Sequence, residues 1–223
     1  MRRRELLIKK NTERPIVVDL GLPSGYKWAT GNIVPNGRGG YKVGEETDYG
    51  IYVSWGNVTP HFSSNGSTFD DGYQFTSYNY SGTSGSKLTQ NIPNNSTYDA
   101  AMALLGNSYH MPSKEDCDEL IDNTDNEWII NYGNTGINGM KFMKKSDHSI
   151  YIFLPAFTTC QSGELNRNNT HASVWNRTTV FSGDGNTLEA YGVYRSGKLL
   201  YGASTDSNPV KYSGLPIRPI KWY

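Results

Sequence analysis

Four histidines, two cysteines and a few acidic turn residues are the side chains of this sequence best suited to chemistry. Their spacing argues against a reactive centre. His61, His110, His148 and His171 are scattered, with no pair at metal-ligand spacing. There is no H-E-x-x-H, no phosphate-cradling P-loop, no G-x-S-x-G and no C-x-x-C. An enzyme needs a nucleophile and base, a carboxylate pair, a metal or a cofactor loop. None is legible, so the chain reads as a non-enzyme with no cofactor and no metal. His110, before Met111-Pro112, reads as a structural or surface histidine. Cys117 and Cys160 permit one disulfide without requiring it. Two buried thiols, packed as small apolar groups, are the favoured alternative. Asp70-Asp71-Gly72 and Asp184-Gly185-Asn186 each offer part of a calcium loop. Such a site needs several oxygen ligands with net negative charge, and both stretches read more simply as turns.

The elements that would position these groups are best marked between Tyr98 and Asn123, YDAAMALLGNSYHMPSKEDCDELIDN. The wording predicts two short helices joined by a tight link. Thr97 or Ser96 can cap the first, and Gly106 can end it in the left-handed conformation. Pro112 keeps Met111 out of the helical region. Ser113 restarts the helix, and S-K-E-D places a carboxylate at its third position, as in a capping box. Cys117, Leu120 and Ile121 form one apolar stripe, with acidic residues on the other faces, the pattern of a surface helix docked on a core. Elsewhere the pattern is of strands. IVVDL, Tyr49 to Trp55, Glu127 to Asn131, Met140 to Lys144, Ser149 to Leu154, Ser173 to Thr179, Glu189 to Tyr194, Lys198 to Ala203 and Ile217 to Trp222 are the candidates. Ser146-Asp147-His148 is the expected hairpin turn. SIYIFL is apolar throughout, which predicts a central strand covered on both faces. Residues 158 to 172 read as a polar loop. No repeat of fixed period is present.

This wording resembles the Fibrobacter succinogenes major paralogous domain family of Bacteroidetes and their phages, which belongs with the C-type-lectin-like fold. VDLGLPSGYKWAT (Val18 to Thr30) looks like the family's opening strand and turn, and DYGIYVSWGN (Asp48 to Asn57) like its aromatic second block. SYHMPSKEDCDELI (Ser108 to Ile121) is similar to the helix pair, with Tyr109 and His110 where Trp and Arg are usual. GINGMKFMKK with IYIFLPAF, SVWNRT and the closing GLPIRPI follow in the expected order. The resemblance implies an α+β, C-type-lectin-like domain: two short helices flanking a twisted, mostly antiparallel sheet, loop-rich, with its ends close together. It does not by itself imply a function, because this fold hosts many ligands. Formylglycine-making enzymes share the architecture but rely on closely placed late cysteines, and here only Cys160 is late. Lectins that bind sugar through calcium carry Glu-Pro-Asn and Trp-Asn-Asp. This chain has no Glu-Pro-Asn, and its Trp175-Asn176-Arg177 puts a cation where the acidic ligand would stand.

Bulk properties narrow the class. At 223 residues the length suits one domain, expected over 16–223, with a polar insert at about 57–97 rich in Ser, Asn, Gly, Thr and Tyr. Charge is balanced, 21 basic against 21 acidic residues, which disfavours a dedicated nucleic-acid partner. With 16 Tyr, 5 Trp and 7 Phe, the composition suits a contact surface, since Tyr offers large area at low entropic cost. Residues 1–15, MRRRELLIKKNTERP, read as a basic N-terminal arm. It is either an anchor that buries Leu6, Leu7 and Ile8 on another subunit or a tail. The arm lacks the apolar run of about seven residues of a signal peptide, and nothing later reaches the ~18 residues of a membrane span. Two readings stay open: a piece of an exported chain, or a protein freed by cell lysis as virion proteins are. The Met-Arg-Arg-Arg start favours the second.

By resemblance, the late strands and loops carry the recognition face. The matching residues are Asn166, Arg167, Asn168 and His171, then Trp175, Asn176 and Arg177, then Tyr191, Tyr194 and Arg195. Asn, His, Tyr, Trp and Arg bring stacking faces and bidentate donors, and aromatic and Arg anchors dominate many recognition hot spots. Trp175 has a core reading as well. The expectation is a non-enzymatic module on a virion surface, a fibre or capsid decoration, binding a host-surface glycan or protein through these loops. The arm would dock to another virion or surface protein, and the chain would form a homo-oligomer. A Bacteroidetes cell-surface adhesin or lipoprotein, on the extracellular or outer surface, and a fibre segment without ligand are the alternatives.

Overall fold

The computed structural model describes residues 16–60, 91–94, 96–156, 160–161, 164–165, 171–180, 189–196, 204–207 and 214–222. For 160–161, 164–165, 171, 180, 189–196 and 204–207 it describes the backbone alone. The chain is α+β, with few helices and several antiparallel sheets. The strands are β1 (Val17–Val18), β2 (Lys27–Ala29), β3 (Ile33–Pro35), β4 (Tyr41–Val43) and β5 (Tyr109–His110). They continue as β6 (Thr124–Ile129), β7 (Gly139–Lys144), β8 (Asp147–Pro155), β9 (Cys160–Gln161) and β10 (Glu164–Leu165). The last are β11 (His171–Val180), β12 (Glu189–Ser196), β13 (Ser204–Ser207) and β14 (Ile220–Lys221), and the helices are α1 (Ala100–Leu105) and α2 (Lys114–Asn123). The pairings give a four-stranded sheet β1-β2-β14-β5, three-stranded sheets β6-β7-β8 and β11-β12-β13, and hairpins β3-β4 and β9-β10. The first and last strands both pair with β2. The two ends of the domain therefore lie one strand apart, as expected.

Residues 214–220 stitch these parts together. Leu215 and Val53 exchange both backbone hydrogen bonds, the carbonyl of Pro216 accepts from Trp175, that of Ile217 from Ile33, and that of Pro219 from Ala29. Each proline stands where only a carbonyl is called on, so its missing N–H costs nothing there. Between the prolines lies Arg218, completely buried. Its Nε donates to Asn32 Oδ1 at 2.8 Å, Nη1 to the Ala29 carbonyl at 3.2 Å and Nη2 to the Phe153 carbonyl at 2.8 Å. Only a planar fork of donors reaches three diverging acceptors at once.

Two apolar cores flank this segment and β11. Ile33, Ile51, Tyr52, Val53, Trp55, Ala100, Met111, Trp175, Leu215 and Ile217 form one; Val18, Leu20, Trp28, Cys117, Leu120, Phe142, Ile152, Val174 and Ile220 belong to the other. Strand β11 is buried on both faces, sending Trp175 into the first core and Ala172 and Val174 into the second. Two indoles lock it in place: Trp55 Nε1 donates to the Asn176 carbonyl and Trp175 Nε1 to the Val53 carbonyl, each at 2.8 Å. Helix α2 starts as expected, with Ser113 and Asp116 forming a reciprocal capping box. It buries Cys117 and Leu120 and packs Ile121 partly. Cys117 is a free thiol, so it is not bridged to Cys160. Burial, with help from Asp116 and Asp118, pushes its pKa well above the ordinary thiol range.

The structure departs from the sequence reading where tertiary contacts overrule local pattern. Helix α1 is capped by Asp99, not Thr97 or Ser96. Gly106 ends it at φ 96°, ψ 170°, a positive φ outside the left-handed helical region. The link between the helices is itself strand β5, recruited by β14. The β7-β8 turn falls at Lys145 and Ser146. Strand β8 is buried from Ile152 to Pro155, yet it pairs with β7 alone. Its outer edge is met instead by the Arg218 guanidinium. Residues 49–55 hold only an isolated bridge, Val53 to Leu215, and the polar stretch 158–172 contains β9 and β10. The arm 1–15, the insert at 61–90, Asp70-Asp71-Gly72, Asp184-Gly185-Asn186 and 198–203 lie outside the described residues. No helix among the described residues is long and apolar enough to cross a membrane.

Arg218→Met keeps most of the volume but strands three buried acceptors. At about 1–3 kcal/mol for each unsatisfied group, the variant is expected to lose more than about 3 kcal/mol. Guanidinium denaturation measures this, and a loss below about 1 kcal/mol would show that water or neighbours replace the fork.

Candidate functional site

An aromatic ledge stands where five elements meet. The cross-strand register Trp28↔Ile220↔His110 places Tyr26, Trp28, Ile220, Trp222 and His110 on one face of the four-stranded sheet. Trp28 and Ile220 go into the core, while Trp222, next along the chain on that face, stays 38% exposed. Its ring stacks on Tyr26, with centroids 5.1 Å apart and planes at 29°. On its other side the His110 ring meets it edge-on at 5.1 Å and 60°. The ledge is held rigidly. Ser24 donates from its backbone N and its Oγ to Glu119 of α2, at 2.7 and 2.6 Å, fixing the turn that leads into Tyr26.

Beneath the ledge lies a buried polar pair. Asp99 is fully buried. It accepts from the backbone N–H of Met102, which caps α1, and with both oxygens from that of Met111, all at 3.1 Å. His110 Nδ1 stands 3.7 Å from Asp99 Oδ2 and has no hydrogen-bond partner. Burial lifts the Asp99 carboxyl above its usual range; the Met102 and Met111 hydrogen bonds and the charge of His110 oppose that rise. His110 is thus a structural residue of the ledge's floor, 4% exposed, in agreement with the sequence reading.

The third part comes from β11. Between Trp175 and Thr179 the register against β12 slips, and a bulge of this kind re-aims side chains. At the bulge the Arg177 N–H donates to the Pro112 carbonyl at 2.8 Å, and its own carbonyl accepts from Ile92. The Lys114 N–H donates to Thr178 Oγ1 at 2.9 Å. These bonds seat Arg177 half-buried at the start of α2. Its charge reaches the Tyr26 phenol, whose pKa burial raises, with Asp116 and Glu119 adding to the rise and Arg177 opposing it.

The residues expected to bind ligand separate. Arg177 reaches this ledge. Trp175 and Asn176 do not: both are completely buried and hold the core together. This corrects the expectation that they face a ligand; burying the indole against Val53 outweighs any surface role. His171 opens β11 opposite Ser196, Tyr194 pairs with Ser173, Arg195 with Ala172, and Tyr191 lies in β12 beside the bulge. Asn166, Arg167 and Asn168 lie outside the described residues. Tyr26, Trp222 and Asp99 were not anticipated. The signal for the first two was present in Tyr26-Lys27-Trp28 and Ile220-Lys221-Trp222, two alternating strand ends that align once β2 and β14 pair. Among the described residues, no group of three His, Cys, Asp or Glu side chains is arranged to hold a metal ion. No family model, curated protein or solved structure matches the chain.

The ionisation of Asp99 has a measurable sign. Its folded-state pKa is raised above 3.8, so the folded form holds this proton more firmly than the unfolded chain does. The group contributes most stability at low pH and loses it as pH rises through the raised value. Asp99→Asn, which mimics the protonated form, is therefore expected to destabilise the protein most below pH 3.8 and less toward neutrality. Urea denaturation of both proteins across that range tests this, and a penalty growing with pH would refute it.

Proposed function

We propose that the chain is a non-enzymatic recognition module built on a C-type-lectin-like scaffold. It is displayed on a virion surface as a fibre or capsid decoration and binds a host-surface glycan or protein. The observation that carries recognition is Trp222, a large ring left 38% exposed yet fixed between Tyr26 and His110. A pre-positioned aromatic group loses little entropy on binding, which is the property of a hot-spot anchor. The order of the sequence blocks and the pairing of both domain ends with β2 support the scaffold reading. In the virion reading, residues 1–15 dock the domain to its carrier and set its oligomeric state.

Two measurements test this. A glycan and host-surface protein array probed with the full chain is expected to give ligands whose affinity falls at least about tenfold, roughly 1.4 kcal/mol, in Trp222→Ala. Ligands that bind the variant as tightly would move the site away from the ledge. Sedimentation of the full chain beside one lacking residues 1–15 is expected to give an oligomer and a monomer respectively. Two identical monomers would favour a free-standing cell-surface adhesin domain instead.

A further inference from the structure

The charges around the ledge are not equally available. Glu119 spends both carboxylate oxygens on Ser24. Asp116 turns Oδ2 to the Ser113 N–H at 2.7 Å within the capping box. Lys114 is paired with Asp118 at 2.7 Å. Lys221 belongs to the opposite face of the sheet, its Nζ 5.4 Å above the Tyr109 ring. The Arg177 guanidinium differs. Among the described residues it makes no hydrogen bond or ion pair, although its backbone is fixed at Pro112 and Ile92. The site therefore presents one open aromatic face and one uncommitted, half-buried cation.

We propose that this ledge takes a pyranose bearing a carboxylate, with the sugar ring lying on Trp222 and the carboxylate on Arg177. The inference rests on the recognition reading above and narrows its ligand to an acidic sugar. The C–H bonds on one face of a pyranose carry partial positive charge, which the negative face of an indole attracts. A guanidinium offers two parallel N–H donors that match a carboxylate's two oxygens. The bulge in β11 holds Arg177 at the start of α2, and the Tyr26–Trp222 stack lies against the same helix through the Ser24–Glu119 bonds. Both contacts thus belong to one rigid surface. A neutral sugar would use the indole and leave the guanidinium without a partner, while a small anion would use the guanidinium and leave the indole wet.

The test is a titration of Trp fluorescence in the intact chain with methyl β-D-glucuronide and with methyl β-D-glucoside at low ionic strength. The glucuronide is expected to bind about tenfold more tightly, the scale of a charge-assisted hydrogen bond, with the preference shrinking as salt is added. Arg177→Gln is expected to equalise the two sugars, Arg177→Lys to keep part of the preference, and Trp222→Ala to abolish binding of both. Near-UV circular dichroism confirms that each variant is folded. Equal affinity for the two sugars in the parent chain, or a preference that survives Arg177→Gln, would overturn the acidic-sugar assignment and leave the recognition reading standing. If neither sugar binds, the assignment also falls. Array ligands lost in Trp222→Ala would then keep the recognition reading alone, and their absence would remove both.

Discussion

A buried guanidinium without its acceptors would be ruinous, and the architecture is arranged so that Arg218 has them. Taking such a charge out of water costs several kcal/mol unless hydrogen bonds replace the lost hydration. The acceptors come from Asn32, from the end of β2 and from the middle of β8. Those three places belong to different parts of the chain, so satisfying the cation fixes their mutual position. The same bond to Phe153 covers the edge of an apolar strand that no further strand pairs with, which removes a template for unwanted strand addition. The surrounding prolines and the paired indoles of Trp55 and Trp175 work to the same end. They make residues 214–220 and β11 the partition between two cores.

That partition is why the ledge is stiff. Trp222 lies two residues beyond Ile220, which is held between β2 and β5, and Arg177 lies two residues beyond Trp175, which is bonded into the first core. Each exposed contact group is thus the continuation of a strand whose preceding residue is buried. Asp99 adds a brace, joining the start of α1 to Met111 and lying under His110. A surface of this sort binds without first having to order itself.

The parts of this design that sequence made legible are the local ones. Helix α2 was readable because the Ser113–Asp116 capping box and the Cys117–Leu120–Ile121 stripe lie within one short stretch. The β7-β8 hairpin was readable for the same reason. Illegible were features that exist only after distant segments meet. Met111-Pro112 announces a break in the helix, but only β14 turns Tyr109 and His110 into a strand. Apolar alternation placed β8 at the centre of a sheet, whereas an arginine 65 residues away takes the place of its missing neighbour. Trp175 carried both a core and a ligand reading, and the carbonyl of Val53 decided between them. Asp99 looked like one more polar residue before a helix, because its second set of donors, on Met111, comes from beyond α1.

The place of the stitching segment in the chain also sets the order of events during synthesis. Residues 214–220 are made after every group they bind: Ile33, Val53, Ala29, Phe153 and Trp175 all emerge from the ribosome first. Until the segment follows, those carbonyls and N–H groups face an open slot, and the two cores share no common wall. The nascent domain must therefore hold a strand-sized gap in its middle until nearly the last of its own residues arrives, and it closes in one late step.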